Sequence, residues 1–145
     1  MIRSTLTKEI GFDAGHRVPA HTSKCQHPHG HRYRVVATVE GPVPGSGMVV
    51  DFGVVKQWMT EEIHDRFDHT FIADEADEPI RSAFDGTGWR IEWLSCPPTA
   101  ENLAWWFHLL LSARAAAEQP LLRVVAVTVW ETPTSSATYS TGAAG

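Results

Sequence analysis

Only two cysteines, Cys25 and Cys96, occur in 145 residues, too few for a disulfide framework, and they stand in unlike surroundings. Free thiols are expected, as in a reducing compartment. Positive charge is also scarce: 12 Lys and Arg stand against 17 Asp and Glu, a formal net charge of -5. Nucleic-acid binding usually leaves a basic footprint, so that class of partner is argued against. No run of about eighteen apolar residues is present, and no helical membrane span is expected. The opening stretch, Met1 to Ile10, holds no apolar core of a secretory signal. A cytoplasmic protein with no membrane partner is the expectation.

With 43% hydrophobic and 20% charged residues, the composition is that of a globular chain and not a disordered one. A chain of this length suits one domain, taken as residues 1–145, and buries about 68–70% of its unfolded surface. A core of that size needs no metal to hold it together.

What the chain has in plenty is histidine, and five of its eight lie close together, at His16, His21, His27, His29 and His31. In an extended segment the side chains of His29 and His31 point the same way, because strand side chains repeat with period two. His16 ends an earlier strand-like run and completes a triangle if the two strands pair. Three neutral imidazoles with an open fourth position are what a catalytic zinc site uses, whereas a structural site wants a fourth ligand. His21 and His27 remain as spare, competing ligands.

Strands are read over Ile2–Phe12 and Tyr33–Val39, flanking the histidine loop. A turn-rich connector, Gly41–Gly47, precedes a helix whose Val55, Trp58, Met59 and Ile63 make one apolar face. Residues 72–95 are the least regular. Their Asp74, Glu75, Asp77 and Glu78 read as a solvated loop, and Trp89–Trp93 as a short edge strand. Cys96-Pro97-Pro98-Thr99 stops that element and opens a second helix with Thr99 as N-cap and Leu103, Trp106, Phe107, Leu110 and Leu111 as core. Leu122–Trp130 is the strongest strand, and Ala137–Ser140 a last one. Two strands, two helices and two strands predict an α+β sheet with its helices on one face.

Further residues suit chemistry. Asp68-His69 is a carboxylate–imidazole pair of the kind used in general acid–base work, the carboxylate fixing the tautomer and supporting the imidazolium. Cys25 serves as base or nucleophile only if nearby zinc or imidazolium lowers its pKa; otherwise it is a small buried apolar residue. Glu131, at the end of the strongest strand, is an acceptor for paired N–H donors if buried beside a ligand.

Together these residues resemble the 6-pyruvoyl- and 6-carboxy-tetrahydropterin synthases. The resemblance is carried nearly end to end by Phe12-x-Ala14-x-His16-Arg17, Cys25-x-x-x-His29-Gly30-His31-x-Tyr33, Val50-Asp51-Phe52, Asp68-His69, Pro98-Thr99-x-Glu101-Asn102, Glu131-Thr132 and Ala137-x-Tyr139. It implies the tunnelling fold: a four-stranded antiparallel sheet with two helices on one face, oligomerising into a β-barrel and commonly into a homohexamer of two trimers. It also implies zinc on His16, His29 and His31, Cys25 as the catalytic cysteine with Asp68 and His69 as its partners, and Glu131 as the carboxylate that anchors a pterin ring. Thr99 and Glu101 would shape the pterin pocket, in part across a subunit boundary, and Arg17 and Lys24 are candidates for the triphosphate of 7,8-dihydroneopterin triphosphate.

The cysteine four residues before His-Gly-His is similar to the bacterial carboxy branch, which releases acetaldehyde and triphosphate and feeds 7-deazapurine synthesis, queuosine included. The pyruvoyl branch and a non-catalytic pterin-binding homologue are the alternatives, with a zinc-stabilised structural subunit a third. The chain departs from the pattern in two places. The family's Asp-His segment continues into Leu-Asn where Ile72-Ala73 stands here, and the stretch from His69 to Thr99 is longer, adding Trp89, Trp93 and Cys96. A Trp-bearing strand there is expected to cover a barrel edge.

Overall fold

A computed structural model describes residues 2–142. The chain begins with two long antiparallel strands, β1 (Arg3–His16) and β2 (His29–Pro42), paired from Arg3↔Pro42 to His16↔His29. Both run well past the expected ends, so the histidines sit inside the ladder and not in a loop. In β2, Tyr33, Val35, Ala37 and Val39 are fully buried while their odd-even neighbours are only half-buried. Each such valine contributes about 1.5–3 kcal/mol by leaving water.

Helix α1 (Phe52–Met59) starts at Asp51, whose carboxylate accepts from the Gly53 N–H at 2.7 Å. It runs through a π turn (Thr60–His64) into one last helical turn, α2 (Asp65–Phe67). Val55, Trp58, Met59, Ile63 and Phe67 bury the face that the apolar spacing predicts. Strand β3 (Thr70–Asp74) then pairs parallel to β1, helix α3 (Glu78–Phe84) follows, and β4 (Ile91–Leu94) pairs parallel to β3. The long helix α4 (Ala100–Glu118) is capped by Thr99, whose hydroxyl accepts from the Asn102 N–H at 3.2 Å. It leads into β5 (Arg123–Thr132) and β6 (Ser135–Ser140).

The sheet order is β4-β3-β1-β2-β5-β6. The expected four-stranded antiparallel sheet is present as β1, β2, β5 and β6, but the described sheet has six strands and is mixed. The two additional strands come from the stretch read as least regular. They are four and five residues long and pair in parallel, so no hairpin turn announces them. The edge strand expected around Trp89–Trp93 is β4. Helices α1 and α4 cover one face, where Phe12, Tyr33, Phe67, Phe107 and the buried valines of β2 and β5 meet. The other face is polar: Arg34 bonds Glu9 at 3.0 Å and lies over the Trp130 ring at 4.6 Å.

Candidate functional site

The β1–β2 register sets His16 directly opposite His29 and His31 opposite Ala14. All three imidazoles point to the helix-covered face, and their nitrogens lie within 4.8 Å of one another. Gly15 allows β3 to close alongside, since a Cβ there would stand 2.9 Å from the Phe71 ring. His16 Nδ1 donates to the Pro98 carbonyl at 2.7 Å, and His29 Nδ1 donates to the His27 carbonyl at 2.6 Å. A carbonyl only accepts, so each Nδ1 carries the hydrogen and each Nε2 presents a lone pair.

Those two Nε2 atoms face each other at 3.1 Å. Two lone pairs at that distance repel, and a cation between them turns the repulsion into ligation. Burial holds His16 neutral, its pKa lowered to about 4, and burial also lowers His31. Neutral imidazoles oriented by carbonyls are the form that a metal takes up. The donor set therefore fits a zinc-class ion, with Pro98 as the outer partner of His16.

Beside the triad lies a cavity of about 270 Å³ whose wall includes Cys25, Thr99, Glu101 and Glu131, together with His21 and Ser135. Glu131 is half-buried with Oε1 3.9 Å from His16 Nε2. Burial, and then the like charge of Glu101, push its carboxyl upward, with His29 opposing. The structure thus gathers seven of the eleven site residues expected from sequence: the three histidines at the triad and Cys25, Thr99, Glu101 and Glu131 around the cavity.

The other four lie elsewhere. Lys24 is exposed on the 3-10 turn Lys24–Gln26 next to Cys25. Arg17 is committed to Asp77, at 2.7 Å from Nε and 2.5 Å from Nη2. Asp68 and His69 form the expected pair, Nδ1 to Oδ2 at 2.8 Å, and Asp68 also accepts from the Asp13 N–H at 2.9 Å. The Asp13 bond, and then His69, hold the Asp68 carboxyl low. His69 takes the left-handed backbone conformation, φ 59, and donates its N–H to the Asp13 carbonyl. Both bonds to Asp13 go to its main chain, so this pair flanks the end of β1 with the His69 ring largely exposed. Among the described residues it bonds to neither the triad nor Cys25.

His21 and His27 are not ligands: His21 Nδ1 accepts from the Ser23 N–H at 3.0 Å, and His27 supplies only its carbonyl. Both thiols are free. Asp77 corrects the reading of its acidic run as a solvated loop, being 5% exposed. The roles of Asp77 and the Pro98 carbonyl were missed, because only the fold brings them to β1.

A mixed sheet that presents three clustered imidazoles and an acidic cavity beneath a capped helix defines a two-layer α+β protein whose histidine cluster could hold a metal ion. Residues 5–142 match the 6-pyruvoyl tetrahydropterin synthase family, and the chain belongs to it. It is 41% identical over 100 residues to the 6-carboxy-5,6,7,8-tetrahydropterin synthase of Rickettsia bellii, covering 68% of this chain and 72% of that one. It is 31% identical over 141 residues to the synthase of the same name from Haemophilus influenzae, covering 92% and 96%. An uncharacterized protein from Wolinella succinogenes has a similar structure, with TM-score 0.83 at 26% identity, covering 98% of this chain and all of that one.

Proposed function

We propose that the protein is a zinc-dependent 6-carboxy-5,6,7,8-tetrahydropterin synthase. It would convert 7,8-dihydroneopterin triphosphate and water to 6-carboxy-tetrahydropterin, acetaldehyde and triphosphate. The observation that carries this is the meeting of Cys25, Glu101 and Glu131 on one cavity wall beside the trihistidine cluster. The relatives named for this reaction support the carboxy product.

His16, His29 and His31 would hold the metal, which when bound supplies Lewis acidity to the side-chain oxygens and makes their neighbouring C–H protons removable. Glu131 accepts from the paired N–H donors of the pterin ring, and Glu101 and Thr99 close the pocket around it. Cys25 takes or returns a proton on one face of the side chain. His69, steadied by Asp68, does so on the other. Because that pair bonds to neither the triad nor Cys25 among the described residues, we infer that a second copy contributes it. We therefore read the working unit as an oligomer, a homohexamer of two trimers, with each site shared between chains. Of the two candidate cations, Lys24, exposed beside Cys25, is the one we assign to the triphosphate. The enzyme would act in the cytoplasm and supply 7-deazapurine synthesis, such as queuosine.

Incubating the zinc-loaded protein with 7,8-dihydroneopterin triphosphate and resolving the products by mass spectrometry tests the reading, with Cys25→Ala as control. A 6-carboxy product with acetaldehyde, absent from the control, is expected. A 6-pyruvoyl product would move the protein to the other branch, and unaltered substrate retained on the protein would make it a binder.

A further inference from the structure

Arg17 follows a metal-ligand position directly, yet its guanidinium does not face the cavity. Two of its N–H groups grip both oxygens of Asp77, and Nη1 donates to the Gln26 carbonyl at 3.3 Å. Gln26 is the neighbour of Cys25 in the same 3-10 turn. The next residue, Val18, donates its N–H to the Cys25 carbonyl at 2.9 Å. The turn that carries the thiol is thus tied at the Cys25 and Gln26 carbonyls to residues 18 and 17.

Asp77 is the anchor of this arrangement, and its behaviour is unusual for its position. It is the N-cap of α3, where an aspartate ordinarily accepts from its own helix, a bond commonly worth about 1 kcal/mol. Here it makes no such bond. Its side chain is 2% exposed and turned to Arg17. A buried carboxylate needs a charged, geometrically matched partner, and the planar fork of arginine gives one that lysine cannot. Asp77 belongs to the stretch between β3 and α3.

We propose that Arg17 and Asp77 are positioning residues: through their bidentate pair and the Gln26 carbonyl, they set the Cys25 turn against the cavity wall. This rests on the reading of Cys25 as the reactive thiol. It assigns Arg17 away from the triphosphate and gives Asp77 a role in the site.

The test compares Asp77→Asn, which keeps shape, with Arg17→Lys, which keeps charge but loses the fork. Alkylation of the folded protein by iodoacetamide is followed by peptide mass spectrometry, with Cys96 as internal reference. It requires neither metal nor turnover, so it judges this proposal even if the synthase reading fails. Both variants should alkylate Cys25 roughly tenfold faster, the factor that loss of a charge-assisted bond of ~1.4 kcal/mol gives, while Cys96 keeps the parental rate. In the turnover assay both should lower kcat with KM little changed. Parental Cys25 rates in both variants would overturn the proposal, as would equal acceleration of both cysteines, which marks general loosening. An Arg17→Lys rise in KM with Asp77→Asn unaffected would return Arg17 to the triphosphate and overturn it too.

Discussion

His16 and His69 are the same side chain in two settings near the end of β1, and their surroundings differ. His16 is 1% exposed, bonded to a carbonyl and held neutral by burial; His69 is 74% exposed and bonded to a carboxylate. The first environment suits a lone-pair donor. The triad is also gathered within one chain, while the Asp68–His69 pair bonds to none of its members among the described residues. Burial and partner therefore set the two histidines apart.

The sharpest way to break this contrast is to remove one ligand. His29→Ala should take zinc content, measured by elemental analysis after dialysis, from one ion per chain to near zero. His69→Ala should leave it unchanged. Loss of zinc in both would end the distinction. On turnover, His69→Ala should cost about 10²–10⁴-fold, the usual contribution of a positioned acid or base. Mixing inactive His29→Ala and His69→Ala chains by refolding them together should then restore activity, since some sites would combine two intact halves. No recovery would mean that each chain works alone.

A smaller effect separates the two histidines by pH. His16 has a folded pKa of about 4 against an ordinary 6.5. Above pH 6.5 neither the folded nor the unfolded chain is protonated there. As pH falls toward 4 the unfolded chain binds a proton that the folded one refuses. Metal-free protein should therefore lose about 3 kcal/mol by pH 4 relative to neutral pH. His16→Gln should flatten that part of a urea-denaturation profile, and an unchanged slope would count against the buried-neutral reading. The mildest change is Thr99→Ala, which removes the α4 cap and should lower stability by about 1 kcal/mol, or Tm by about 3 °C, in a calorimetric scan.

Much of this was legible because it is local. His29 and His31 share a face by strand period alone, Val55, Trp58, Met59 and Ile63 share one by helical period, and Thr99 caps the helix it precedes. The helical face and the cap are both borne out in the fold. The stretch from Thr70 to Leu94 was harder to read, since β3 and β4 are short and make their bonds with distant residues. Asp77 sits in a run of acids that ordinarily faces water, and nothing nearby in sequence marks Arg17 as its partner. The Pro98 carbonyl carries no side-chain signature at all.

Residue type and spacing alone determined that this chain could offer three imidazoles, a thiol and an acidic anchor, because those properties belong to side chains and to the repeat of a strand. Which groups meet was decided only by the tertiary structure. The β1–β2 register joined His16 to His29, the turn before α4 brought Pro98 to His16, and the main chain of Asp13 took Asp68 and His69 as its partners. These are encounters between residues far apart in sequence, and they depend on pairing and packing that no local pattern encodes.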